Sequence, residues 1–513
     1  MQQRLSLATY DRLPGAARPL VDPRALSVGI VHLGLGAFHR AHQAVYTEVA
    51  AHATGDRRWG ICGVSQRSPA AADALSAQDG LYSVLVAGGT PGTGDLGGAG
   101  GPGDGNQVRV VASLRRALFA RSSGPELLAL MADPAVQVVT LTVTEKGYRH
   151  NLATGELPAA DPELAADAAG RPPQTVVGQL ARGMEARRRA GSGPLTVVPC
   201  DNLTGNGPLL KSLVGQFISW PSGRFDAGLA DWVAANVRFP ATMVDRIVPA
   251  TTPERRDEVA RLIGLWDEAP VVTEPFSQWV IEDIFAAGRP AWEQAGAQIV
   301  ADVRPFETLK LRALNGTHST LAHLGALAGC ETIADALDMP GFEALARSLL
   351  DDEVRPTLAL PPGTDFARYR ETVLARFANR ALPYRCLQVA MDGSQKLPQR
   401  LLGTVRDRLA AGALPRVAVL AIAAWLRAIW AGQDDLGRDL EVSDPLRAAL
   451  SQATAQATEP AAVVSQALQL RQVFGADLAE DERFRQALAE ALADLASHGA
   501  AATVAALAAN GAH

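Results

Sequence analysis

Residues 27–39 read SVGIVHLGLGAFH: a short apolar run, two glycines one residue apart, and the start of a stretch (AFHRAHQAVYTEVAAHA) with helical periodicity. This is a strand turning sharply into a helix. Glycines at such a turn let the backbone bend tightly and approach a pyrophosphate, whose charge a helix N-terminus stabilises. The third glycine of the dinucleotide fingerprint is replaced by His39, so the motif is GxGxxH. Its place after an apolar strand near the N-terminus is the context the fingerprint requires. Gly34, Gly36, Ala37 and Phe38 are therefore the expected cofactor-binding turn.

Working outward, RWGICGV (58–64), VQVVTLTV (136–143) and PLTVVPC (194–200) are further apolar, largely β-branched runs. Their length suits strands buried on both faces, and helical stretches separate them. The alternation predicts an α/β fold with a doubly wound parallel sheet. The second strand should end in an acid that binds the adenosine ribose. It ends instead in Val64-Ser65-Gln66-Arg67-Ser68. Ser65 and Gln66 suit a plain ribose, as in NAD, whereas Arg67 suits the 2′-phosphate of NADP; the sequence leaves both open. Residues 88–106 are too glycine-rich for regular structure and read as an inserted, mobile hairpin tip without the lysine of a P-loop. Beyond residue 303 the strand signals fade and helical stretches follow one another. The chain thus divides into an α/β domain, 1–303, and a mostly α-helical domain, 304–513.

The composition excludes much. The 513 residues carry 48 basic and 54 acidic side chains, a net charge of −6, with 48% hydrophobic residues. That profile is globular, with no basic footprint for nucleic acid and no polybasic membrane signal. The four cysteines (62, 200, 330, 386) lie far apart without metal-ligand spacing, so reduced, mostly buried thiols are expected. His39 and His42 lack a carboxylate partner and make a poor zinc site; they read as packing or solvent-facing histidines, and no metal is expected. The N-terminus has no signal-peptide pattern, and the apolar run 417–429 is too short to span a bilayer. A cytoplasmic protein is the expectation. No heptad seam is apparent, so a monomer or weak oligomer is expected.

The segment Lys310-Leu-Arg-Ala-Leu-Asn315-Gly-Thr-His318 is the most chemical in the chain. On an α-helix Asn315 falls about 140° from Lys310, with His318 between them at about 80°. A lysine, an amide and an imidazole on one broad face suit proton transfer to a carbonyl oxygen held in place. A surface lysine with a packed histidine is the plainer alternative. Other polar clusters sit at expected strand ends, where open α/β sheets bind ligands: residues 144–148 (TEKGY), 200–207 (CDNLTGNG) and 244–249 (VDRIVP). Turn chemistry alone would also put Asp, Asn and Gly there.

Taken together, IVHLGLGAFHRAHQAVY (30–46), QDGLYSVL (78–85), TVTEKGY (142–148), PCDNLTGNG (199–207), FPATMVDRIVP (239–249), EPFSQWVIED (274–283), KLRALNGTHS (310–319) and MDGSQKLPQR (391–400) resemble the mannitol dehydrogenase family of polyol-specific long-chain dehydrogenases. The resemblance implies a Rossmann-type N-terminal domain, a helical C-terminal domain, and zinc-independent hydride transfer between nicotinamide and a secondary alcohol or ketone. It implies that Lys310 is the acid/base, that Asn202 and Asn315 hydrogen-bond the reacting oxygen, and that His318 and Asp245 position substrate hydroxyls. Glu307 would help pass the proton to solvent, a structural ion pair being its plainer role. Two stretches, GVSQRSPAAADALSAQDGLYSV (63–84) and MDGSQKLPQRLL (391–402), resemble the fructuronate reductase (mannonate oxidoreductase) branch. Lys396 or Arg400 would then pair with the carboxylate of a sugar acid, which a neutral polyol lacks. The expected reaction is reduction of D-fructuronate to D-mannonate with NADH. The alternatives are a mannitol 2-dehydrogenase or a D-arabinitol dehydrogenase and, in another class, a non-catalytic nucleotide-binding regulator.

Overall fold

A computed structural model gives the fold for residues 3–88, 99–100, 106–143, 147–151, 154–220 and 223–510. The chain divides into two compact units, Met1–Val303 and Arg304–His513.

The first unit is built on six strands: β1 (Val28–Leu33), β2 (Gly60–Ser65), β3 (Leu114–Phe119), β4 (Val138–Leu141), β5 (Leu195–Pro199) and β6 (Val237–Arg238). All pairs are parallel and the order across the sheet is β3-β2-β1-β4-β5-β6. This is the doubly wound order of two mononucleotide-binding halves, in which the strand order reverses at β1. The apolar character of the strands follows from burial on both faces. Val31, Leu33, Val139, Leu141 and Val197 pack under the helices of one side, including Gly124–Ala132, Val176–Ala190 and Asn206–Ile218. Ile30, Ile61, Val138 and Val198 join Tyr46, Trp279 and Trp292 on the other. The alternation along each strand is the period of two that a pleat imposes.

Two smaller sheets complete the unit. In one, Thr242–Asp245 pairs antiparallel with Gln278–Glu282, which pairs parallel with Gln298–Val300. In the other, Tyr82–Val86 pairs with Val271–Thr273 and with Gln107–Val111. The glycine-rich stretch leaves from this second sheet; apart from Ala99–Gly100, which pairs with Val108 and Gln107, nearly all of it lies outside the described residues.

The second unit is helical. Arg416–Ala431 is almost entirely buried, from Val417 to Ile429, and packs against Gly316–Leu327 and the last helix, Glu482–Asn510. Among the described residues one segment, Glu482–Ala509, is long and apolar enough to cross a membrane. Its backbone breaks at Gly499 (φ 75°), and Phe484, Leu488, Leu492, Leu495 and Val504 belong to the core of this unit. None of the four cysteines is in a disulfide; three are buried and Cys330 is half-buried.

The helix Arg416–Ala431 starts on a buried acid. Glu353 accepts the backbone N–H groups of Val417 (2.7 Å) and Ala418 (2.9 Å). Desolvation outweighs those bonds and pushes its carboxyl up to about 7. Glu48, buried beneath the β-rich unit, is likewise pushed up to about 7 by burial. Both groups fold more readily protonated than ionised, so their contribution is full in mild acid and is lost as the pH rises through about 7. The two carboxyls should therefore contribute a decline in Tm between about pH 5 and 7, opposite in sign to the contribution of the buried neutral histidines His32 and His323. Glu353→Gln should flatten part of that decline, and an unchanged slope would refute the assignment.

Candidate active site

The turn after β1 is held by side chains from β1 itself and from the end of β4. Gly34 has φ 111°, and a Cβ there would stand 2.2 Å from the Thr142 carbonyl oxygen. Glycine is therefore required by both conformation and space. The Gly34 carbonyl accepts from Thr142 Oγ1 (2.8 Å), while His32 bridges Thr140 Oγ1 (2.7 Å) and Thr142 Oγ1 (2.9 Å). His39 stacks on His32 with ring centroids 3.4 Å apart. Burial drives both imidazoles towards their neutral forms, His32 to about 3.

Gly36 differs from Gly34. A Cβ built on it would meet nothing nearer than 3.8 Å, and its face opens onto a cleft of about 620 Å³. That volume suits a small-molecule ligand. The cleft is lined by Gly34 to Gly36, Ser65 to Ser68, Thr142, Thr175 and three arginines, Arg67, Arg121 and Arg149. A bare backbone floor with guanidinium groups around it fits a dinucleotide phosphate chain. Ala37 and Phe38, expected on the turn, lie outside this lining, and Phe38 stacks on His42 (5.0 Å). His42 is buried rather than solvent-facing and donates from Nε2 to the Gln278 carbonyl (2.9 Å). It also interrupts the expected single helix, which is two: Ala37–Ala41 and Gln43–Thr54. Among the described residues no group of three or more His, Cys, Asp or Glu could hold a metal.

At the end of β2, Ser65 Oγ donates to the Ser68 carbonyl. Gln66 exchanges two amide hydrogen bonds with Gln179 (3.1 and 3.0 Å), which fixes it as a wall of the cleft. Arg67 is exposed at the rim. Arg149 has a left-handed backbone (φ 58°) and pairs with Asp161 and Glu163, while Arg121 also reaches Glu163 (3.7 Å). Neither Arg121, Arg149 nor Gln179 carries a local sequence signal.

In the same unit, the loop after β5 carries Asn202, which is exposed. Asn206, four residues on, is buried and bonds both the carbonyl (3.1 Å) and the N–H (3.0 Å) of Thr242. It ties the loop of Asn202 to the strand ending in Asp245, itself 5% exposed. The Tyr148 hydroxyl donates to Asp201. Residues 144–146 of the neighbouring cluster lie outside the described residues.

In the second unit, Glu307, Lys310, Asn315 and His318 lie on one continuous helix. It is not an α-helix throughout. Lys310–Asn315 forms a π-helical turn, in which the Gly316 N–H reaches the Leu311 carbonyl. The angle of about 140° expected between Lys310 and Asn315 on a regular helix therefore does not apply. The wider π turn brings a residue five positions on closer in angle to the first than a regular helix does, so Lys310 and Asn315 lie nearer one face. Lys310 and Glu307 are buried, and Asn315 and His318 are half-buried. The His318 ring stacks on Phe377 (4.8 Å) and meets Tyr384 edge-on (5.7 Å).

Comparison with known proteins gives this arrangement its context. The profile of the mannitol dehydrogenase Rossmann domain matches residues 28–294, and that of the mannitol dehydrogenase C-terminal domain matches residues 302–496. The chain belongs to the mannitol dehydrogenase family. Like the family, it is an oxidoreductase acting on CH–OH groups of polyols or sugar acids. A D-mannonate oxidoreductase of Escherichia coli (strain K12) is 41% identical, covering 96% of this chain and 98% of that protein. A mannitol 2-dehydrogenase of Pyrenophora tritici-repentis is 37% identical, covering 98% and 85%. Among solved structures, a Pseudomonas fluorescens mannitol 2-dehydrogenase in ternary complex with NAD and D-mannitol is 34% identical, with a TM-score of 0.84 and coverage of 98% and 99%. The Rossmann-type sheet and helical second part expected of a mannitol dehydrogenase relative are thus both present.

The segment 391–400, singled out for its likeness to the mannonate branch, is anchored within the helical unit of this mannitol dehydrogenase fold. Asp444 accepts from Ser394 N (2.8 Å), Ser394 Oγ (2.5 Å) and Trp425 Nε1 (3.2 Å). Gly393 leaves room for Trp425, whose Nε1 would stand 2.5 Å from a Cβ there. Lys396 Nζ donates to the Val389 carbonyl (3.4 Å), and Arg400 Nη1 donates to Ser319 Oγ (3.0 Å).

Proposed function

We propose that the protein interconverts D-fructuronate and D-mannonate with NAD(H). The observation that carries this reading is the 41% identity to a D-mannonate oxidoreductase over nearly the whole chain, together with the two cations of segment 391–400. When bound, NAD(H) supplies or takes up the hydride. Lys310 gives a proton from Nζ to the ketone oxygen in reduction and removes it from the alcohol in oxidation. Asn202 and Asn315 donate hydrogen bonds to that oxygen as negative charge develops. Asp245 and His318 orient the sugar hydroxyls, His318 with its ring plane set by Phe377. Glu307, one helical turn before Lys310, returns the proton from solvent.

Gly34 and Gly36 would hold the cofactor's phosphates and Ser65 its ribose; Arg67 leaves NADP as the alternative. A neutral polyol is the second reading for the substrate, favoured by the 37% identity to a mannitol 2-dehydrogenase. Purified protein assayed with D-fructuronate and D-fructose, each with NADH and NADPH, decides among these. Preference for fructuronate and NADH is expected. Preference for fructose would overturn the sugar-acid reading, and preference for NADPH the cofactor.

A further inference from the structure

We propose that Arg400, held by Ser319, recognises the carboxylate of the sugar acid and so makes the site prefer an acid over the corresponding neutral polyol. This rests on the sugar-acid reading above.

Ser319 directly follows His318 and is 2% exposed. Its Oγ accepts from Arg400 Nη1 at 3.0 Å, which ties the guanidinium to the helix bearing Lys310, Asn315 and His318. The backbone is shaped for this approach. Arg400 lies on a second π-helical turn, Pro398–Leu402, and its carbonyl oxygen would stand 2.9 Å from a Cβ on Gly316. Glycine at 316 lets that turn close on the helix. Upstream, the Asp444 anchor on Ser394 fixes the start of the same segment.

A guanidinium presents its N–H groups as a planar fork matched to a carboxylate, and a hydrogen bond to one nitrogen sets the plane of the whole group. Lys396 offers a point charge on a flexible stem instead, and its Nζ donates to a carbonyl at 3.4 Å. Both cations lie close enough to His323 to help burial drive its imidazole down to about 3, so that ring stays neutral and adds no competing charge.

The test compares oxidation of D-mannonate and of D-mannitol with NAD. Arg400→Gln should lower kcat/KM for mannonate by about 100-fold, with a far smaller loss on mannitol. Arg400→Lys should recover part of the difference. Ser319→Ala should raise KM for mannonate by about fivefold with kcat retained, because the charge remains but its orientation is lost. Equal losses on both substrates in all three variants, or an acid-selective loss in Lys396→Met and not in Arg400→Gln, would overturn the assignment of Arg400. Wild-type protein that oxidises mannitol and not mannonate would overturn the sugar-acid reading on which the proposal rests. That result is read without any variant, so the two failures are distinguishable.

Discussion

Replacing Lys310 by alanine is expected to lower kcat by about three orders of magnitude while NADH binding survives. The size of the effect follows from the role: a positioned acid/base contributes about 10²–10⁴-fold, and no neighbour on the helix replaces an ammonium group at that point. Lys310 is buried, so removing it also leaves space. Lys310→Met fills that space without the charge and should be as inactive as Lys310→Ala. Single-turnover rates, NADH fluorescence titration and a pH–rate profile for each variant form the measurement. The limb of the profile that reports the lysine should vanish. Turnover near the wild-type rate in either variant would refute the acid/base role, whatever the sugar.

Replacing Gly34 by alanine is expected to damage both folding and cofactor binding. Two costs add. The left-handed conformation costs a residue with a Cβ about 1–2 kcal/mol. The 2.2 Å approach to the Thr142 carbonyl oxygen forces a backbone shift worth about 1–3 kcal/mol more. A fall in Tm of the order of 5–10 °C is expected, with weaker NADH binding because shifting Thr142 also disturbs the Gly34 carbonyl that its hydroxyl holds. Two other glycines separate these causes. Gly55 has φ 75° with nothing within 4 Å, so Gly55→Ala carries the conformational cost alone. Gly36→Ala has neither cost, and it should weaken NADH binding with Tm nearly unchanged. Thermal denaturation with fluorescence titration reads all three, and a Gly34→Ala protein as stable as Gly55→Ala would refute the close-approach argument.

How much of this was legible in the sequence depended on what burial does to composition. Strands β1, β2, β4 and β5 are covered on both faces, so they read as continuous apolar runs. Strand β3 is an edge strand of sequence LRRALF, and the consecutive Arg115 and Arg116 break its apolar run. The strands of the two smaller sheets are three to five residues long, apart from the two-residue Ala99–Gly100, too short for a period to emerge. The candidate site was legible where a motif packs its chemistry into consecutive residues, as from Lys310 to His318. Partners far apart along the chain were not. Gln66 and Gln179 are 113 residues apart, and Ser319 and Arg400 are 81 apart, so only folding shows that they meet. The π-helical turn has no signature either, since the same residues read as a regular helix.

That turn has a consequence for how the enzyme can change. A π-turn is equivalent to an α-helix carrying one inserted residue. Deleting a residue between Lys310 and Asn315 would restore regular hydrogen bonding and leave the amine and the amide four positions apart, which on an α-helix is still one face. The turn thus absorbs an extra residue within six positions while both groups stay on the same side of the helix. A change of one residue in chain length can be confined to this stretch.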